Sequence, residues 1–209
     1  MLTIQNSNLT IVPAKINKNK YYNNYNIGNS KDTISFKGMQ VNKVNSSKEI
    51  KELVNLFYDA LEHNLEPNSK KLGFISRIIK YISTLPILIT TKLPGAVNEV
   101  VKSGNKIVGG FSLNIDKTGN TAHLGFLTIT PDVVKTKTGV EALKLMGKRI
   151  CSTLDSNKIN EMTCTTNSRN KPINNLLKKL KADKIKELPF GENEYIISLD
   201  RLKTICQTV

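Results

Sequence analysis

The segment from Met162 to Ala182 constrains the fold of this chain more than any other. Met162-Thr163-Cys164-Thr165-Thr166-Asn167 reads as a short strand, and Ser168-Arg169-Asn170-Lys171-Pro172 leads from it into an amphipathic helix. Asn170 suits an N-cap, where a side-chain oxygen accepts from an unpaired first-turn amide. Pro172 falls in the first turn, where its missing N–H costs nothing. Ile173, Leu176, Leu177 and Leu180 lie at i, i+3, i+4 and i+7, the spacing of a buried helical stripe. A strand that runs into a capped helix sets helix-end amides beside the end of a sheet, and so marks a candidate ligand site.

The remaining elements follow from period and punctuation. Met39 to Val44 alternates weakly, as a first strand. Ser46 and Glu49 form a capping box, and Ile50, Leu53, Val54, Phe57 and Leu61 keep the helical period to about Asn64. Beyond Pro67-Asn68-Ser69 a second helix is expected from about Lys70 to Ser83. Its Phe74, Ile75, Ile78, Ile79 and Ile82 share one face, and Lys70, Lys71, Arg77 and Lys80 the other. That pattern suits a core stripe or a membrane surface. Val97 to Lys102, Lys106 to Asp116 and Thr121 to Thr130 read as strands joined by turns at Ser103-Gly104-Asn105 and Lys117-Thr118-Gly119-Asn120, an antiparallel meander. A helix follows Gly139 with Val140, Leu143, Met146, Ile150 and Leu154 inward. Ile185 to Leu188, a turn at Pro189-Phe190-Gly191 and Tyr195 to Leu199 form a last hairpin. This order describes an α/β (α+β) domain, a mixed and mostly antiparallel sheet flanked by helices.

Composition sets the outer limits. The 209 residues suit one domain and an extra segment, and the 39% hydrophobic content is low because of the N-terminus. Residues 1–36, rich in Asn, Lys and Tyr, read as a disordered basic tail. The domain is expected over 37–203, with a short C-terminal tail at 204–209. Met1 to Pro13 has no secretory pattern, and the apolar run Tyr81 to Thr91 falls far short of the ~20 residues of a membrane span. Cys151, Cys164 and Cys206 lack metal-ligand spacing and point to reduced thiols in the cytoplasm. His63 and His123 have no partner at such spacing, so no metal site is expected. The net charge of +14 is spread along the chain. Solvated lysines account for it, as does an anionic partner such as a phosphorylated cofactor.

The loop Asp132-Val133-Val134-Lys135-Thr136-Lys137-Thr138-Gly139 lies between a strand ending at Pro131 and a helix. A helix N-terminus with Lys135 and Lys137 beside it attracts a pyrophosphate. Together with the order of elements and the Asn170 helix, this resembles the GCN5-related N-acetyltransferase (GNAT) family over about residues 39–200. Leu127-Thr128-Ile129-Thr130-Pro131 is similar to the family's strand whose amides hold the acetyl carbonyl and the pantetheine arm. Thr136 to Leu143 sits where the family's glycine loop cradles the coenzyme A pyrophosphate. Asn170, Lys179 and Leu180 agree with the family's Asn-bearing helix. The departures are Thr136 for the usual Gln or Arg, Glu141 for a small residue, Leu177 for a tyrosine acid, and Lys181-Ala182 for Gly-Phe.

The resemblance implies acetyl transfer from acetyl-CoA to a primary amine, with no metal. Leu127, Thr128, Ile129, Lys135, Thr136, Lys137, Thr138, Gly139, Val140 and Asn170 would hold acetyl-CoA. His123 occupies the position of the family's glutamate base, and an imidazole of pKa ~6.5 suits proton abstraction. A histidine satisfied by a neighbour on the sheet is the other reading of that position. The acceptor is a small-molecule or protein amine, and residues 47–83 would form one wall of its groove. A GNAT-fold module that binds acyl-CoA without turnover is the alternative. Nucleic-acid binding through Lys15 to Tyr25 is a third possibility without a motif to carry it. Oligomeric state, homodimer included, stays open.

Overall fold

The computed structural model describes residues 35–36, 38–44, 46–65 and 92–208. The expected helix at Lys70–Ser83 and the tail up to residue 34 lie outside these residues. Eight strands form one sheet in the order β1-β2-β3-β4-β5-β6-β8-β7. They are β1 (Ser35–Phe36), β2 (Met39–Lys43), β3 (Ala96–Ser103), β4 (Lys106–Asp116), β5 (Thr121–Ile129), β6 (Glu161–Asn167), β7 (Asp183–Leu188) and β8 (Glu192–Ser198). Four α-helices accompany them: α1 (Ser47–Leu65), α2 (Lys137–Ser156), α3 (Lys171–Lys179) and α4 (Leu199–Thr208). All neighbours run antiparallel except β5 and β6, which α2 joins as a crossover.

The two faces of the sheet are covered differently. On one face Phe111, Leu113, Ile115, Met162, Cys164 and Ile197 pack against Ala142, Leu145, Met146, Ile150 and Leu154 of α2. Leu177 and Leu180 of the α3 segment and Leu202 of α4 complete this core. Glu99, 2% exposed, reaches α2 from β3, where Arg149 Nε meets its two carboxylate oxygens at 2.9 and 2.8 Å. On the other face Leu53 of α1 packs with Val44, Val100 and Phe126, and Phe57 stacks on Phe126 with centroids 5.0 Å apart. The Ser46–Glu49 capping box forms, with the Glu49 N–H donating to Ser46 Oγ at 3.2 Å.

Three expectations need correction. Val140 is 43% exposed; Met146, Ile150 and Leu154 are buried as expected, and Ala142, Leu145 and Cys151 join them in the buried stripe of α2. The helix begins at Lys137 rather than Gly139, and Val140 falls on the outward side of its first turn. The ladder starts at Ser35, paired with Gln40, inside the segment read as tail. Residues 204–208 are the end of α4 rather than a tail, because Leu199 and Leu202 are buried and Cys206 packs on the core. β7 forms one edge of the sheet, with Asp183 to Glu187 all exposed.

Candidate functional site

The site begins where two parallel strands separate. β5 pairs with β6 at Ala122, His123 and Leu124 and no further. Beyond that point β5 stays on β4 as far as Ile129, while β6 stays on β8 as far as Asn167. A bulge at Gly125 falls at the point of divergence, since Leu113 faces Leu124 and Ser112 faces Phe126. Bulges bend and re-aim a strand, and this one turns β5 away from β6. Strand amides alternate between edges. The Thr130 N–H donates to the Val108 carbonyl of β4 at 3.0 Å, so the amides of Ile129 and Leu127 point into the gap. Thr128 does not: its amide faces β4, and its side chain is 4% exposed with Oγ1 unpartnered.

Two helix N-termini flank this gap, one after each strand. At α2, Thr136 is the N-cap, accepting from the Gly139 N–H at 3.3 Å and donating to the Val133 carbonyl at 2.8 Å. The loop lies on the helix so closely that a Cβ at Gly139 would sit 2.1 Å from the Val133 carbonyl oxygen. Gly139 is thus required by the loop's own backbone. The amides of Lys137 and Thr138 are the first-turn donors without a partner among the described residues. Lys135 and Lys137 are exposed beside them, and Val140 faces outward on the same turn.

At α3, Asn170 holds the N-cap position but its side chain makes no cap bond. This corrects the expectation of a capping oxygen. Asn170 is 7% exposed and its Oδ1 has no hydrogen-bond partner. Asn174 does the local work instead, its Nδ2 reaching the Asn167 and Asn170 carbonyls, each at 2.8 Å. Tyr195 of β8 brings its hydroxyl to Asn174 Oδ1 at 3.5 Å. Leu177 is buried in the core, so its position on α3 points into the protein and not into the gap.

A row of polar side chains crosses the α1 face of the sheet. The register sets Asn98 beside Ser112 and Asn114 beside His123. It also sets His123 beside Thr163 and Thr165 beside Glu194. His123 Nδ1 lies 2.9 Å from Thr163 Oγ1, which leaves Nε2 to face elsewhere. Burial holds the His123 pKa below the ordinary imidazole value, and the charge of Glu194 opposes that shift. Ser112 Oγ and Asn114 Oδ1 are buried without partners. Cys164 lies on the opposite face, where burial pushes its thiol up to about 11, with Glu194 adding to the effect. It is inert packing. Sequence reading missed Asn174, Tyr195, Glu194 and the Ser112–Asn114 pair. The pair did leave a signal, two polar residues at alternate positions of an otherwise apolar strand. No group of His, Cys, Asp or Glu among the described residues is arranged to hold a metal ion.

The mixed sheet thus opens between two parallel strands, with a helix N-terminus after each. The sequence matches no protein-family model and no curated protein sequence. The fold is similar to solved acetyltransferases. A PaiA N-acetyltransferase from Thermoplasma acidophilum in complex with coenzyme A aligns with TM-score 0.57 at 15% identity, over 77% of this chain and 98% of that one. An acetyltransferase from Streptococcus agalactiae aligns with TM-score 0.55 at 14% identity, over 78% and 99%. A GNAT-family acetyltransferase from Staphylococcus aureus aligns with TM-score 0.52 at 15% identity, over 77% and 99%. The chain has the GNAT fold.

Proposed function

We propose that this protein is an N-acetyltransferase that moves the acetyl group of acetyl-CoA to a primary amine. The observation that carries the reading is the gap between β5 and β6, lined by the Leu127 and Ile129 amides. The buried, unpartnered Oδ1 of Asn170 suits an amide N–H of the pantetheine arm, since an orphaned buried acceptor is costly until a donor meets it. Lys135, Lys137 and the free amides of Lys137 and Thr138 suit the pyrophosphate. Bound there, acetyl-CoA supplies an activated thioester carbonyl.

The chain's own groups then have separate tasks. The Leu127 N–H accepts the charge that develops on the carbonyl oxygen as the amine attacks. His123, kept neutral by burial, takes the proton the amine gives up. The thiolate leaves and needs a proton in turn. Leu177 cannot supply it, and Tyr195 beside Asn174 carries the phenol we assign to this task. The acceptor lies over the polar row of the α1 face, where Ser112, Asn114 and Glu194 offer oxygens suited to an ammonium or hydroxyl donor. A GNAT-fold module that binds acyl-CoA without turnover is the second reading, favoured by the burial of Leu177.

Thermal shift and thiol release test both. Acetyl-CoA raises Tm by mass action if it binds the folded protein, and dephospho-coenzyme A does so less. No shift at millimolar acetyl-CoA rejects both readings. A shift without thiol release across an amine panel leaves the silent module. Release that falls on the order of a hundredfold in His123→Gln supports the base.

A further inference from the structure

Gly147 stands in the middle of α2, where glycine weakens a helix. The structure gives it a reason: a Cβ at Gly147 would lie 2.6 Å from Cys206 Sγ of α4. α4 crosses α2 antiparallel at this place, because Lys203 Nζ meets Asp155 Oδ1 at 2.8 Å two turns further along α2. Cys151 lies between these contacts, one turn from each and on the same face of α2. The Cys151 and Cys206 thiols are neighbours across this crossing and shift each other's ionisation in opposite directions. Cys151 is buried, whereas Cys206 is partly open to solvent.

We propose that Cys206 is a thiol-modification site with Cys151 as its resolving partner, so that a low-molecular-weight disulfide converts the two into an intrachain disulfide. The Cys206 thiolate attacks one sulfur of the small disulfide, whose S–S bond breaks. The other half leaves as a thiolate and takes up the proton that Cys206 gave to solvent. Cys151 then loses its proton and attacks the Cys206 sulfur of the mixed disulfide, expelling the second half as a thiol. Two cysteine thiols are oxidised and one small disulfide is reduced to two thiols.

Electrostatics support this order. Interaction with the Cys151 thiol draws Cys206 down to about 7, with Lys148 adding to it against burial, so thiolate is present near neutrality. The same interaction, with burial, raises Cys151 well above the ordinary thiol range. Once Cys206 is in a mixed disulfide, that hold on the Cys151 proton is gone. The charges facing the pair are Lys148 and Asp155 from α2 and Lys203 from α4. The proposal is independent of acetyl transfer, since none of these residues lines the gap between β5 and β6.

The test treats the reduced full-length protein with oxidised glutathione near pH 7.5 and reads intact mass and peptide maps. The wild type is expected to lose two hydrogens and to yield a peptide linking Cys151 to Cys206. Cys151→Ser should instead stop at one glutathione adduct on Cys206, and Cys206→Ser should form neither product. Cys151→Ala replaces the serine variant if that hydroxyl prevents folding. Iodoacetamide should label Cys206 at least about tenfold faster than Cys164, with a rate that rises through pH 7. An adduct spread evenly over Cys164 and Cys206, or a wild type that forms no linked peptide, overturns the proposal.

Discussion

The N-termini of α2 and α3 flank the same gap and spend their polar groups in opposite ways. At α2 the cap is closed: Thr136 bonds both Gly139 and Val133, and the loop backbone rests on Gly139. At α3 the cap residue is left out of the cap, and Asn174 ties down the preceding loop in its place. A closed terminus contributes stability and offers a ligand only its remaining amides and its charge. An open one carries an unsatisfied acceptor that costs stability until a donor arrives. The pair therefore divides into a terminus built for rigidity and a terminus that keeps one atom free.

The anchors beneath the two helices give the largest effects by which this contrast can be broken. α2 is fixed by the buried Arg149–Glu99 pair, so Arg149→Ala is expected to cost about 3–5 kcal/mol in urea unfolding, because Glu99 is left charged and buried. The double change Glu99→Gln with Arg149→Met should cost clearly less. α3 is fixed by apolar contacts, and Leu177→Ala should cost about 2–4 kcal/mol. Leu177→Tyr forces a larger side chain into the same place and should leave thiol release no faster than in the wild type. A faster rate would mean that this position does face the gap.

The caps themselves sharpen the comparison. Thr136→Ala should cost about 1 kcal/mol by denaturation, the usual value for a functioning cap. Asn170→Ala should cost less than that, since no bond is lost, yet it should cut the Tm rise given by acetyl-CoA. The reverse pattern would unite the two termini as ordinary caps. The smallest effect concerns His123. Its folded-state pKa is depressed, so the unfolded chain binds the proton first as pH falls through 6.5. Stability then drops below that pH, and His123→Gln should flatten that part of the curve in pH-dependent unfolding.

Much of the fold was legible because it is written in short-range pattern. β4 follows its apolar run from Lys106 to Asp116 as read, and the Pro189-Phe190-Gly191 turn joins β7 to β8. α4 was missed because it is short and its helical spacing, Leu199, Leu202 and Cys206, gains meaning only once α2 lies against it. The Asn170 position was legible, but the direction of its side chain was not. That direction is set by the tertiary surroundings that bury Asn170, which no local spacing carries. The polar row on the α1 face joins residues from β3 to β8, and no local period could assemble it.

β7 bears on a different risk, that of the sheet growing by one strand from a neighbouring molecule. An outer strand offers its free amides and carbonyls to any extended chain, and flat apolar edges seed aggregates. Here Asp183, Lys184, Lys186 and Glu187 line that border, and Ile185 stands alone among them. A second copy laid antiparallel would have to bring these charges within a strand's width of its own and strip their water. The border therefore discourages uncontrolled stacking of one copy on another while the strand keeps its pairing with β8.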